Sequence, residues 1–324
     1  LDLDPQFRVA AQAEITLLKT DVLENLFETK YSQGEADFLE LVEHYGDEQS
    51  DDSLYNLILG LYDFSRSHPW PDEWLAGLKD QFMLPDDARM DDLPWSKLIR
   101  HKIILEIEQA LQQLGTLIEQ AGKPGSIPEY AESFSSDGIL LSELLAAANH
   151  SWASLAEIMA CYKFEKIAST PKGTDESAKK YFQKARQKIK DKINDCKVNY
   201  FDRPEEELLA DMRFIAPVVE SLGKVIIEFG QEFSKIKREK GLLDFNDLEH
   251  FCLKILLDRE AKYGEIMPSM VAIELQERFA EVMVDEYQDT NGVQETILRL
   301  VASAEKNNLF LVGDVKQSIY CFRL

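Results

Sequence analysis

The 324-residue sequence predicts a mainly α-helical protein, with a large helical domain followed by part of an α/β core that contains two short parallel strands. Apolar residues recur three and four positions apart through most of residues 1–240, in a chain rich in Ala, Leu, Glu, Lys and Gln. After Gly241 the pattern changes, and short apolar runs flank a helical segment. We therefore expect one domain at residues 1–240 and a second at 241–324.

The helical segments are separated by turns that contain proline and glycine. Helices are expected at residues 15–30, 53–67, 95–121, 138–164, 177–196, 205–240 and 244–258. Pro217 lies inside the segment 205–240. Because proline lacks a backbone N–H and clashes with the preceding turn, we expect a kink or break near Ala216.

The second domain begins its α/β pattern at residues 281–284 and 309–312, which are predicted to be strands. Residues 293–303 between them are predicted to form a helix. Two strands joined through a helix form a parallel βαβ unit, the building block of α/β nucleotide-binding cores. The sequence therefore predicts a fragment of such a core after the helical domain.

Composition and charge limit the class of protein. Hydrophobic residues make up 45% of the chain, enough for a sizeable core, and no apolar run reaches the roughly 18 residues of a membrane span. The cysteines lie far apart without a Cys-x-x-Cys pair, so neither a zinc site nor a disulfide framework is expected, and a reducing cytoplasm is the predicted location. The chain starts without methionine and stops inside a motif, and we expect it to be a piece of a longer protein.

One basic segment interrupts an acidic chain. The net charge is −23, yet residues 163–197 contain 11 Lys and Arg against 5 Asp and Glu. Within it, Lys180, Lys184 and Lys188 run four apart beside the apolar face of a predicted helix. This lysine stripe has two interpretations: a solvated face on an acidic protein, or a contact surface for a polyanion.

Paired carboxylates at the end of the first predicted strand indicate phosphoryl-transfer chemistry. In such a site Asp285 would hold Mg²⁺ through its water shell, and Glu286 would accept a proton from the attacking water. The bland alternative is that the pair only ends the strand and that Asp289 or Thr290 caps the next helix. No Gly-x-x-x-x-Gly-Lys-Ser/Thr loop occurs in the 324 residues, so this chain alone is predicted to be inactive as an ATPase.

Two long segments in this order resemble motifs II and III of superfamily 1A DNA helicases, the UvrD, Rep, PcrA and RecB group. The segments are Val284-Asp285-Glu286-Tyr287-Gln288-Asp289-Thr290-Asn291 and Val312-Gly313-Asp314-Val315-Lys316-Gln317-Ser318-Ile319-Tyr320-x-Phe322-Arg323. Residues 241–248 also resemble the Gly-x-x-Asp-Phe-x-Asp-Leu segment that leads into that motor core. The Asp-Val-Lys-Gln form of motif III, and the opening at residues 3–10, are more similar to helicase–nuclease subunits of the AddA (RexA) type.

This resemblance implies a fragment of an ATP-dependent 3′-to-5′ DNA helicase that works in double-strand-break repair. The helical domain would be its 1B region, and the longer protein could also be an exonuclease. Catalysis would fall to Glu286 and Gln317, with Gln317 sensing the terminal phosphate. Asp285, Gln288 and Asp314 would contact the nucleotide or its Mg²⁺.

DNA would be the substrate, as a single strand and at a duplex junction, and an AddB (RexB) type partner would complete a heterodimer. Tyr320 and Phe322 would stack on unpaired bases, and Arg323 would contact a phosphate. The lysine stripe would meet the duplex ahead of the fork. Two other functions stay open: a UvrD/PcrA-like helicase without a nuclease, and a DNA- or protein-binding module whose motor has decayed.

Overall fold

The computed structural model describes residues 5–47, 50–314 and 316. Its helices and strands, in chain order, are β1 (Arg8–Val9), α1 (Gln12–Gln33), α2 (Ala36–Tyr45), α3 (Asp52–Ser65), α4 (Pro71–Gly77), α5 (Pro94–Ala121), α6 (Pro128–His150), α7 (Trp152–Cys161), α8 (Glu176–Tyr200), α9 (Glu205–Glu239), β2 (Leu242–Leu243), α10 (Phe245–Leu256), α11 (Met270–Arg278), β3 (Val282–Val284), α12 (Gly292–Val301) and β4 (Leu309–Leu311). The predicted mainly α-helical class is confirmed.

The chain divides into two compact units. We call Leu84–Phe214 the helical unit, and Leu1–Met83 with Ile215–Leu324 the strand-bearing unit. These units do not coincide with the expected division at residue 240, because the first 83 residues and the end of α9 pack in the same unit as the strands. Sequence periodicity could not show this, since it reports the local element and not which distant element covers its apolar face.

Aromatic packing closes the core of the strand-bearing unit. Phe229 and Phe233 of α9 stack with ring centroids 5.8 Å apart, and Tyr62 of α3 meets them edge-on at 5.0 and 6.0 Å. Phe27 of α1 and Phe38 of α2 are each 1% exposed in the same core. Edge-to-face pairs of this kind add to the free energy gained from burial alone.

A buried lysine fixes the passage from α9 to α10. Lys237 is 2% exposed, and its ammonium lies 2.8 Å from Asp244 Oδ2 and 2.6 Å from Asp247 Oδ2, above the Phe233 ring. Asp244 also caps α10 by accepting from the Asp247 amide at 2.9 Å. Burial alone would raise the pKa of Asp244, but the charge and hydrogen bond of Lys237 hold it below its ordinary value.

The same passage carries a small parallel sheet. β1 pairs with β2 in the register Arg8↔Leu242 and Val9↔Leu243, so the start of the described chain is joined to residues just before α10. The 241–248 segment singled out from the sequence therefore has a structural use: its leucines form β2, and its aspartates hold Lys237.

The helical unit is built from α5, α6, α7, α8 and the start of α9 around an apolar core. Inside it, Arg186 of α8 forms two hydrogen bonds with Asp137 of α6, at 2.6 and 2.8 Å, and donates a third to the Glu165 carbonyl at 2.7 Å. Arg186 and Asp137 are 6% and 2% exposed. Because both charged groups have partners, the pair is tolerated in the interior.

Two expectations about helices are wrong. Residues 138–164 do not form one helix: α6 starts earlier, at Pro128, and ends at His150, and Ser151 caps α7 by accepting from the Ser154 amide at 3.0 Å. A serine that bonds the next turn offers the backbone an alternative to continued helix, which periodicity does not register. The expected break near Ala216 does not occur, because α9 runs through Pro217 with buried residues on either side.

The predicted βαβ unit is confirmed. β3 and β4 pair in parallel in the register Val282↔Leu309, Met283↔Phe310 and Val284↔Leu311, and α12 lies between them in the chain. This arrangement brings the segments that follow the two strands to one edge of the sheet.

Candidate active site at the ends of β3 and β4

The two motifs meet through backbone hydrogen bonds just beyond the strands. Val312 donates to the Val284 carbonyl at 2.9 Å, and Tyr287 donates to the Val312 carbonyl at 2.9 Å. The segment 285–289 after β3 is thereby held against Gly313 and Asp314 after β4. The structure thus brings together four predicted site residues: Asp285, Glu286, Gln288 and Asp314.

Glu286 adopts a backbone conformation that is unusual for a residue with a side chain. Its φ is 53° and its ψ 38°, in the left-handed region. The Glu286 amide donates to Asp285 Oδ1 at 2.9 Å, so the first acid of the pair helps to hold the second in this turn. A left-handed non-glycine residue costs on the order of 1–3 kcal/mol and is retained where the surroundings impose it, often at functional sites.

Gln288 connects the two motifs. Its side-chain nitrogen donates to Glu286 Oε2 at 2.5 Å, and its side-chain oxygen accepts from the Asp314 backbone amide at 2.9 Å. A side-chain amide supplies both a donor and an acceptor, whereas an ionised glutamate at this position would supply acceptors alone. The position of the Glu286 carboxylate is therefore linked to the backbone of the second motif. We call this set of contacts the Gln288 bridge.

Gly313 is required by the closeness of the Gln288 bridge. A Cβ on Gly313 would lie 2.7 Å from Gln288 Oε1 and 3.1 Å from the Gln288 backbone nitrogen. Those distances are shorter than van der Waals contact, so any side chain at this position would push the bridge apart. The glycine is needed for room and not for a positive φ.

Other contacts hold the start of α12, the helix that follows the first motif. Asn291 caps α12, and Glu249 of α10 accepts from the side-chain nitrogens of Asn291 at 3.2 Å and Gln294 at 2.7 Å. The Val293 amide donates to the Ser67 carbonyl at 3.1 Å. The capping role considered for Asp289 or Thr290 falls instead to Asn291. No signal in the sequence pointed to Glu249 or Ser67, because both are distant in the chain.

Two further residues of the first motif have unusual surroundings. Burial, with the charge and hydrogen bond of Glu295, raises the pKa of the Tyr287 hydroxyl. Asp289 Oδ1 is buried and has no hydrogen-bond partner among the residues that the structure describes. A buried acceptor without a donor is costly, which marks this side of the motif as a place where a further donor fits.

The donor set at Asp285 and Glu286 fits Mg²⁺. Both residues are exposed, and carboxylate oxygens are the ligands that Mg²⁺ prefers. In the described part of the chain no group of three or more His, Cys, Asp or Glu side chains forms a metal site by itself. One or two carboxylates, completed by water and by phosphates of a nucleotide, is the usual protein contribution to an Mg²⁺ site.

The lysine stripe lies on the solvent face of α8. Lys180, Lys184 and Lys188 are exposed, whereas the opposite face buries Phe182 and Ile189. None of the three lysines forms an ion pair or hydrogen bond with another described residue. Their positive charge is thus not neutralised locally, in contrast to the Arg186 side chain inside the same helix.

Four predicted site residues, Gln317, Tyr320, Phe322 and Arg323, lie outside the described residues. Among described residues no helix is long and apolar enough to cross a membrane.

Residues 105–324 match the family described as the UvrD/REP helicase N-terminal domain. This match covers more than half of the chain and includes the strands β3 and β4 and the Gln288 bridge. The chain therefore belongs to the UvrD/REP helicase N-terminal domain family.

Curated relatives extend the similarity to the whole chain. Proteins named as the A-type subunits of ATP-dependent helicase/nucleases are 44% identical over 326 residues in Desulforamulus reducens, 39% over 345 residues in Heliobacterium modesticaldum and 41% over 328 residues in Geobacillus kaustophilus. Each comparison covers 100% of this chain but only 26%, 24% and 26% of the relative. The chain thus spans about a quarter of the length of these relatives. The similarity includes residues 1–104, which lie outside the family match.

Proposed function

We propose that this chain is part of an ATP-dependent 3′-to-5′ DNA helicase of the AddA helicase/nuclease type, acting in double-strand-break repair in the cytoplasm. The observation that carries the proposal is the Gln288 bridge, which holds an acidic pair and the following motif at the ends of two parallel strands. Family membership and the names of the whole-chain relatives support it. The nuclease and the AddB-type partner are inferred from those names alone.

In this proposal Asp285 and Glu286 divide the chemistry of ATP hydrolysis. Asp285 holds Mg²⁺, which supplies charge neutralisation for the phosphates when it is bound. Glu286 accepts a proton from the water that attacks the terminal phosphate. Supporting this division, Asp285 Oδ1 already bonds the Glu286 amide, while the Glu286 carboxylate is oriented from the other side by Gln288.

The second motif responds to the nucleotide and reaches DNA. Asp314 and Gln288 transmit the state of the acidic pair to the segment that includes Gln317, which would contact the terminal phosphate. Tyr320, Phe322 and Arg323 would follow as the contacts to single-stranded DNA. Support for the transmission is the hydrogen bond between the Asp314 amide and Gln288, which makes a shift of one motif felt by the other.

The lysine stripe is proposed to contact duplex DNA near the junction. Lys180, Lys184 and Lys188 are exposed and without an acidic partner among described residues, as a phosphate-binding surface requires. A helicase without nuclease would use the same residues. The decayed-motor alternative is disfavoured, because a bridge that imposes a left-handed Glu286 has no evident use once hydrolysis is lost.

The test uses the full product of the gene that encodes this chain, because these 324 residues lack a phosphate-binding loop. Glu286→Gln should lower DNA-stimulated ATP hydrolysis by about 10²–10⁴-fold while ATP binding persists. Glu281→Gln, which changes an exposed acid at the other end of β3, is the matched control and should hydrolyse ATP at the normal rate. Equal activity of the two variants would contradict the assignment of Glu286.

A further inference from the structure

A basic cavity of about 400 Å³ lies in the strand-bearing unit, lined by residues outside the two motifs. Its walls come from the end of α3, the start of α4 and the last turns of α9. Arg66, Lys235 and Arg238 line it, together with the polar side chains of Gln231 and Ser234, and Asp72 is the acid among the lining residues. In a chain of net charge −23, a cavity with three cations and one acid is a local reversal of sign.

Arg66 makes the cavity more than a charged surface. Its Nε is buried and has no hydrogen-bond partner among the described residues. The rest of the guanidinium likewise donates to no other residue in the described part of the chain. Arg66 is nevertheless held by its backbone, because its carbonyl lies 3.0 Å from His250 Nε2, within hydrogen-bond distance. A buried donor on a fixed residue, facing a cavity, calls for an acceptor from outside the chain.

A second unused cation faces the same space. Arg238 lies one turn beyond Ser234 on α9, is exposed, and its side chain forms no ion pair or hydrogen bond with a described residue. Lys235 differs, because it lies 3.0 Å from the exposed Glu232 carboxylate. The two arginines are therefore the groups whose charge is available to a ligand.

Helix ends explain part of this charge but not its geometry. Arg66 follows α3, and Arg238 lies in the last turn of α9, where basic side chains interact favourably with the helix dipole. Lys237, one residue away, shows what a satisfied cation looks like here: it is bound to two carboxylates. The dipole gives the Arg66 Nε no acceptor, so that donor remains unexplained by the fold.

The shape of the ligand follows from what the walls lack. Tyr62 is the aromatic residue among the walls, and it is 5% exposed, because its ring packs edge-on against Phe229 and Phe233. No open ring face is thus offered to a base by the described walls. The donors instead suit a tetrahedral oxyanion, for which the arginine fork provides paired N–H groups.

We propose that this cavity binds a phosphate group of a DNA backbone, through Arg66 and Arg238. The choice of DNA rests on the proposed function; the phosphate chemistry rests on the cavity alone. The site is separate from the lysine stripe, which belongs to the helical unit, and from the acidic pair, which handles the nucleotide. It gives the strand-bearing unit its own anchor on the strand.

The experiment measures binding of a fluorescein-labelled oligothymidylate to the full gene product by anisotropy, without ATP, over a series of salt concentrations. Arg66→Gln and Arg238→Gln should each weaken binding by about tenfold at low salt and lower the salt slope by about 0.7. Lys224→Gln is the matched control, because it removes the same charge from α9 outside the cavity. Asp72→Asn should tighten binding, since it removes the acid that faces the anion.

The outcomes separate the claims. If Arg66→Gln and Arg238→Gln bind like Lys224→Gln, the site is overturned. If inorganic phosphate protects the protein from thermal unfolding, and this protection needs Arg66, while the arginine variants bind the oligonucleotide normally, the cavity takes a free anion and the DNA assignment is overturned. Arg238→Gln guards against misfolding, because this side chain is exposed. None of these readouts uses ATP, so failure here is distinct from failure of Glu286→Gln.

Discussion

The interior of the helical unit and the motif edge of the strand-bearing unit are held together in different ways. Arg186 and Asp137 are buried in an apolar core, with both charged groups paired. Glu286, Gln288 and Asp314 are held by hydrogen bonds near the surface, around a residue in a left-handed conformation. The first region gains its order from burial, so damage there costs stability; the second is ordered by a few contacts, so damage there costs function.

Removing one partner of the buried ion pair should have the largest effect on stability. Asp137→Ala leaves Arg186 charged and buried, which should destabilise the helical unit by about 3–5 kcal/mol. Urea unfolding followed by circular dichroism measures this. Asp191→Ala, which removes an exposed acid of α8, should cost no more than about 0.5 kcal/mol.

The double variant Asp137→Leu/Arg186→Met sharpens the same test. Because replacing a whole buried pair by apolar groups is often neutral, this variant should recover most of the loss. A double variant as unstable as Asp137→Ala would mean that the apolar core, and not the unpaired charge, sets the cost.

The buried histidine should produce the next largest effect, as a dependence of stability on pH. Burial lowers the pKa of His250 from 6.5 to about 4, helped by the charge of Arg66. Between these values the unfolded chain binds the proton more readily than the folded one. The His250 contribution is therefore complete above pH 6.5 and is lost as the pH falls towards 4.

Thermal unfolding of the wild type and of His250→Gln across this window checks the sign. The wild type should lose on the order of 2 kcal/mol more than the variant between about pH 6.5 and about pH 4.5. His101→Gln removes an exposed histidine of the helical unit and isolates the effect of burial. A His250→Gln variant with the full wild-type slope would show that other groups carry it.

At the motif edge, Gly313→Ala should separate function from stability. Its Cβ would displace Gln288 and so release Glu286, lowering ATP hydrolysis in the full gene product by about tenfold or more. The loss of folding stability should stay near about 1 kcal/mol, since the contacts are exposed hydrogen bonds. Gln288→Ala should lose a similar amount of activity.

Combining the two changes tests the bridge directly. If Gly313 acts only by leaving room for Gln288, then Gly313→Ala should cost little further activity in the Gln288→Ala background. Fully additive losses in this double-mutant cycle would indicate separate roles for the two residues.

The lysine stripe should give the smallest change in stability and a clear change in binding. Lys184→Glu and Lys188→Glu alter exposed side chains, so the free energy of unfolding should shift by at most about 0.5 kcal/mol. Duplex DNA binding by the full gene product should weaken, and the salt slope should fall by about 0.9 per lost contact. An unchanged slope would leave these lysines as a solvated face.

Much of the fold could be predicted, because the relevant signals are local. The helix at 95–121 and the strands after residue 281 follow from periodicity and are confirmed at nearly the same bounds. The join at Ser151 was missed because a single side-chain hydrogen bond decides it. Pro217 was misjudged because the packing of its neighbours offsets a cost that the sequence alone makes prominent.

By itself, the sequence determined the element types, the parallel βαβ unit and the identity of the acidic pair, since these depend on neighbours in the chain. Only the tertiary structure decided that Gln288 joins two motifs, that Gly313 must leave it room, and that Arg66 faces a cavity without an acceptor among the described residues. Each of these depends on atoms from segments far apart in sequence, and hydrogen bonds and close packing act over a few ångströms of space, whatever the distance along the chain.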